Sequence, residues 1–217
     1  MLVDFLGVWI LVPLGFLVYY AGKWIHRNEY KVYLGVLVVS LLLSVLILID
    51  VRSIPLLQSL IIEGHLSFSM FVIVMFGGAF SLGSKPKKYL MQIRREFALM
   101  GFLLLIPHGI YRLDLALGGY NITGLWAFLI MIPLVIVSYP KVRKKIKAIT
   151  WKRVHKMAYI VYLFIYVHVG FSIFVSDSFR QFTIEYDAWP YHLVFLVYLI
   201  LKSRVIYNKK RKKMVAS

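Results

Sequence analysis

The chain has 217 residues, of which 61% are apolar, 16% charged and none cysteine. Its 26 Lys and Arg against nine Asp and Glu give a formal charge of +17, and its mean hydropathy is +0.78. These values exclude a soluble enzyme, a disordered basic tail and a disulfide-stapled secreted domain, and they leave no room for a second folded module.

Apolar runs of the length that crosses a bilayer as a helix recur seven times along the chain. They predict helices over Leu2–Trp24, Val32–Ile49, Gly64–Leu82, Phe97–Leu117, Ile122–Tyr139, Val154–Val175 and Trp189–Leu201. The first has no basic n-region and no small-x-small cleavage site, so it reads as a span and not as a signal peptide. The last is short, and an interfacial or tilted helix is its alternative.

The charges between these runs fix an orientation. Lys23, Arg27 and Lys31 follow the first run; Lys85, Lys87, Lys88, Arg94 and Arg95 follow the third. Eight more lie from Lys141 to Lys156, and seven from Lys202 to Lys213. Twenty-three of the 26 basic residues thus fall on one side; Arg52, Arg112 and Arg180 fall on the other with seven of the nine acids. The positive-inside rule then predicts seven spans with the N-terminus outside and the C-terminus inside. The expected fold is all-α, a polytopic helix bundle in the cell membrane, surrounded by lipid. Nucleic acid is excluded as a partner because the basic residues form short clusters between apolar runs. The Lys209–Lys213 run reads as a topology anchor, with an anionic-lipid or partner site as the sharper alternative. The longest polar stretch is the external loop Ser176–Ala188, with Asp177, Glu185 and Asp187.

Ionisable groups inside spans are costly and point to function. His108 lies in the fourth segment and His168 in the sixth, flanked by Gly101, Gly109 and Gly170. At a helical rise of about 1.5 Å per residue the two sit at one depth, with His155 about 20 Å further in on the same helix as His168. Two imidazoles at one depth on two helices can clamp a metal. Without cysteine a tetrahedral zinc cage is poorly supported, and axial ligation of a haem iron suits the apolar setting better. The plainer alternative is that each histidine bonds a neighbouring helix. His155 can also be an interfacial anchor, His26 and His192 are assigned to the interface, and His65 is left between an outer ligand, a propionate contact and no role. Thirteen residues turn an ideal helix so that His155 and His168 stand about 140° apart. Either two faces are used, or a kink or π-bulge rotates one ligand.

The pattern Arg94-Arg95 with His108 thirteen residues on, and Trp151-x-x-Val154-His155-x-x-x-Tyr159 with His168 thirteen residues after His155, resembles the ferric reductase-like transmembrane domain family, in particular its MsrQ/YedZ-type haem-binding membrane subunits. The resemblance covers roughly Val32 to Lys213. It implies a six-helix haem-binding domain over 32–208, an additional N-terminal helix and inner loop over 1–31, and a basic cytoplasmic tail over 209–217. It implies that His108 and His168 hold one haem b and that His155 serves a second, inner one. Arg94 and Arg95 would contact haem propionates or the phosphate of a flavin such as FMN, or act only as inner anchors. The chain departs from the family at Ala98, where a glycine is usual, and at Arg95, which stands where a second inner histidine would be.

The expected function is transmembrane electron transfer, from membrane quinol or a cytoplasmic flavin reductase to an extracytoplasmic redox partner such as a methionine-sulfoxide reductase, or to a ferric or flavin acceptor. Of the two donors the quinol is favoured, because Trp151, Tyr159, Arg94 and Arg95 would surround a lipid-accessible site. No Gly-rich dinucleotide fingerprint follows any strand, so no NAD(P)H or FAD domain is expected. The competing class is a non-redox membrane protein, a small transporter or scaffold subunit, although no paired broken helices or buried midplane carboxylates are evident.

Overall fold

The structure is a computed structural model of the chain and describes residues 6–49, 55–81, 83–175, 180–185 and 188–216. Helices α1 (Leu6–Trp9) and α2 (Leu11–Arg27) form one apolar stretch interrupted at Ile10. Pro13 has no N–H to give the carbonyl four residues back, which accounts for the interruption. After Asn28, whose side-chain amide donates to the Trp24 carbonyl at 2.9 Å, α3 (Glu29–Leu48) returns antiparallel. The short α4 (Pro55–Leu57) leads into a π-helical turn, Gln58–Ile62, and then α5 (His65–Phe76). Next come α6 (Lys85–Leu117), α7 (Thr123–Ser138), α8 (Pro140–Arg143), α9 (Ala148–His155) and α10 (Ala158–Gly170). Strands β1 (Phe171–Val175) and β2 (Arg180–Ile184) and helix α11 (Trp189–Ala216) close the chain.

Among the described residues, four helices are long and apolar enough to cross a membrane: Leu6–Arg27, Glu29–Leu48, Lys85–Leu117 and Trp189–Arg211. Helices α5 and α7 are apolar but shorter. The packing is that of a bundle in lipid. In α3 the buried positions include Tyr33, Ser40, Ser44 and Ile47, while Leu34, Leu41, Leu42 and Leu48 are exposed. Small polar residues therefore face the bundle and large apolar ones face outward, the reverse of a soluble helix. Helix α5 is buried at every position from Ser67 to Met75 and packs along α6.

Pro107 stands inside α6 and leaves the Leu103 carbonyl without its helical donor. The hydroxyl of Ser40, a fully buried residue of α3, donates to that carbonyl at 2.6 Å. The proline and the serine are thus one device, and it ties α3 to the turn that carries His108. Ser40→Ala strips the buried carbonyl of its partner at a cost of about 1–3 kcal/mol. Thermal unfolding of the purified variant should show a lowered midpoint, and Ser40→Thr should retain most of it.

Three expectations are corrected. The sixth segment is not one helix: it breaks at Lys156–Met157 and ends at Gly170, where Phe171–Val175 becomes a strand. That strand pairs antiparallel with β2, Phe171 opposite Ile184, so a two-stranded hairpin stands in a fold that is otherwise mostly helical. The β-branched and aromatic composition of Phe-Ser-Ile-Phe-Val suits an extended strand. Thirdly, the helix expected from Phe97 starts at Lys85, and α11 continues through the basic run to Ala216. Asp4, Arg52, Asp177 and Asp187 lie outside the described residues.

The hairpin is fastened to the α6–α7 turn. The Asn121 amide donates to the Ile173 carbonyl at 2.6 Å, the Ile173 amide donates to the Asn121 side-chain oxygen at 2.8 Å, and the Val175 amide donates to the Gly119 carbonyl at 3.0 Å. Gly119 has φ +91°, and a Cβ there would collide with the Val175 carbonyl, so only glycine fits. One end of the bundle gathers Gly64, His108, Gly124, His168 and His192; the other gathers Gly78, Arg94, Ser138, His155 and Lys202.

Candidate functional site

His108 and His168 meet across α6 and α10, with ring centres 6.1 Å apart and planes at 82°. The local structure aims each ring. The π-helical turn sends the Glu63 amide back to Gln58, and Gly64, at φ +78°, turns the chain sharply into α5. The Ile62 carbonyl is thereby free to bond His108 Nδ1 at 2.7 Å. With that nitrogen donating, Nε2 keeps its lone pair for a metal or another donor. A Cβ on Gly64 would stand 3.2 Å from the His108 ring. His168 lies against Gly124 of α7, where a Cβ would come within 2.7 Å of the imidazole. Its Nδ1 is buried beside the backbone of Asn121 but makes no well-formed hydrogen bond.

These residues fit a metal held between two imidazoles. Two rings bound through one nitrogen each, at metal–nitrogen distances of about 2 Å, have centres about 6 Å apart. Ring separation and the fixed tautomer of His108 agree with such a pair. Among the described residues neither ring is bonded to a carboxylate or thiolate, a donor set that suits haem iron better than zinc.

His155 occupies the other end. It stacks on Trp151 with ring centres 3.9 Å apart, and its Nε2 lies 3.1 Å from the Ser138 hydroxyl. Ser138 ends α7 and Gly124 begins it, so His155 and His168 both face α7. The 140° offset of an ideal helix is reduced at the break. The amides of Lys156, Met157, Tyr159 and Ile160 bond three residues back. A 3₁₀ turn winds about 20° more per residue than an α-helix, so four such residues reduce the offset to about 60°. His155 borders two cavities of about 310 and 230 Å³ that share Arg94, Ala158 and Tyr162 in their walls.

The adjacent arginines part company. Arg95 donates from one Nη2 to both Glu29 and Glu96, the latter at 2.8 Å, and Glu96 also takes His26 Nδ1 at 2.8 Å. Glu96 is 1% exposed, so this is a buried charge network joining the α2–α3 hairpin to α6. Arg94 lies beside His155 and Tyr162 and, among the described residues, has no carboxylate at ion-pair distance. Of the two, Arg94 is thus the one that lines both cavities. Sequence reading missed Glu96; its signal was an acid directly after the paired arginines at the mouth of an apolar run. His26 and His192 are not simple interfacial residues. His26 is half-exposed yet paired with Glu96, and His192 Nδ1 lies 3.2 Å from the Tyr166 hydroxyl, against Gly170. His65 interacts with Ser59 at 3.2 Å and Glu63 at 3.6 Å.

No family model and no solved structure matches the chain. It is similar to an uncharacterized protein of Treponema pallidum (strain Nichols), at 29% identity over 140 residues. The match covers 58% of the chain and 39% of that protein, so the chain spans about two fifths of the relative's length.

Proposed function

We propose that the protein is a haem-binding transmembrane electron carrier of the ferric reductase-like kind, with seven spans, an outer N-terminus and an inner C-terminus. The observation that carries the reading is the His108–His168 pair, two imidazoles 6.1 Å apart on separate helices at one end of the bundle. A haem b held there supplies one-electron chemistry to a chain that has no cysteine of its own. The residues do the rest. Ile62 fixes the tautomer of His108, Gly124 and Gly64 leave room for both rings, and the hairpin bound to Asn121 holds the end of α10. At the inner end His155, with Trp151 and Arg94 about it, is the ligand for a second haem. The cavities beside it suit the headgroup of a quinol or a reduced flavin as donor, and the external hairpin faces the acceptor.

Seven spans are supported by which ends meet. The starts of α5, α7 and α11 lie with the ends of α6 and α10, and the reverse holds at the other face, as alternating traversal requires. Basic residues divide between the same two faces. In intact cells an impermeant thiol reagent is expected to label Thr183→Cys and to leave Lys144→Cys unlabelled; the opposite pattern inverts the topology. The functional reading is tested by the absorption spectrum of protein purified from a haem-replete host, oxidised and then dithionite-reduced. A Soret band with a sharp reduced α-band supports it. A colourless, folded protein overturns it in favour of a transporter or scaffold subunit.

A further inference from the structure

Three cations line the smaller inner cavity, of about 230 Å³: Lys87 from the first turn of α6, Arg94 one helical stretch on, and Lys202 from α11. Lys202 Nζ donates to the Gly78 carbonyl at 3.1 Å and the Tyr159 hydroxyl at 2.9 Å, and Lys87 Nζ donates to the Phe80 carbonyl at 3.1 Å. Every one of these acceptors is neutral. Among the described residues no carboxylate stands within ion-pair distance of Lys87, Arg94 or Lys202, and none lines the cavity. The contrast with Arg95, which has two carboxylates a residue away, is sharp. Half-buried cations sharing one cavity repel each other more strongly than in water, so the arrangement lacks a counter-charge. The Tyr159 and Tyr162 hydroxyls on the wall add donors suited to anion oxygens.

We propose that this cavity binds a phosphate group, presented by an anionic phospholipid or by a soluble phosphate compound. A phosphate offers several acceptor oxygens and up to two negative charges, which three cations and two hydroxyls can satisfy together. Basic pockets between spans on the cytoplasmic side are where anionic headgroups are held. The site is separate from the His108–His168 pair and stands whether or not that pair holds haem. His155 is on its rim, so the propionates of an inner haem are the competitor to be distinguished.

The test uses the full-length protein as purified, in discs of zwitterionic lipid. One arm titrates inorganic phosphate and pyrophosphate by calorimetry. The other dopes the discs with phosphatidic acid or phosphatidylglycerol and counts retained lipid by native mass spectrometry. Wild type is expected to bind in at least one arm, which names the source, and Lys202→Gln or Arg94→Gln should weaken it about tenfold, as loss of a charged hydrogen bond does. Lys209→Gln, in the tail helix, is the control and should leave it unchanged. Protein from haem-depleted cells should bind to the same extent. Binding in neither arm, equal binding by Lys202→Gln and wild type, or binding by haem-depleted protein alone each overturns the proposal. A folded Lys202→Gln protein is verified by its thermal midpoint, and Lys202→Arg, which keeps the charge, should bind.

Discussion

His108→Ala and His168→Ala are each expected to abolish the same low-spin haem spectrum, and the double variant should lose nothing further. One metal between two imidazoles cannot keep its low-spin state when either is removed. Side chains that merely bonded neighbouring helices would behave otherwise, since each loss would lower stability and leave any pigment intact. The two variants differ in what they leave behind. His108→Ala frees the Ile62 carbonyl, so it should also lose stability, whereas the Nδ1 of His168 has no well-formed bond to lose. Exogenous imidazole, entering the vacated space, should restore part of the spectrum in either case. If both single variants keep the wild-type α-band and haem content, the pair is not the ligand set.

The second large effect separates neighbours. Arg95→Ala should cost about 3 kcal/mol, the low end of the range for breaking a buried ion pair, because the guanidinium is one-third exposed. Its loss leaves Glu29 and the fully buried Glu96 near each other, with His26 and the Tyr33 hydroxyl beside them. Arg94→Ala should cost less, about 1 kcal/mol, because its partner is the neutral hydroxyl of Tyr162 and no carboxylate is left unpaired. Adding Glu96→Gln to Arg95→Ala should return part of the loss, since it removes the orphaned charge. Thermal unfolding in detergent reads all four proteins on one scale. Equal midpoints for Arg94→Ala and Arg95→Ala would mean that the network does not bear on stability.

Periodicity and hydropathy made the apolar stretches legible because bilayer thickness sets their length, and helices α3, α5, α7 and α11 begin within a few residues of the runs that announced them, whereas α6 starts well ahead of its run, at Lys85. Hydropathy is blind to what happens inside such a run. From Val154 to Val175 it is continuous, so neither the break after His155 nor the change to strand at Phe171 leaves a trace in it. The β-branched and aromatic content of 171–175 was the available signal. His108 and His168 were found because histidine is conspicuous among aliphatic residues, and helical rise gave their common depth. Their distance, and the carbonyl and glycines that aim them, depend on the π-helical turn and on α7, which no local pattern reveals. Arg94 and Arg95 looked alike because one residue along a helix is a rotation of about 100°, and only the neighbouring helices decide what each side of that rotation meets.

The tight turn after His155 has an implication for how the chain can vary. Rotational phase between the two imidazoles is set by a handful of residues, 156–160, and not by the apolar helix that follows. One residue inserted there would swing His168 through about 100°, away from Gly124 and His108, while leaving hydropathy, span length and loop charge untouched. Substitutions within the span are absorbed by lipid, but insertions or deletions at this joint are not. Chains built on this plan should therefore tolerate wide drift in side chains and almost none in the count of residues between the two histidines.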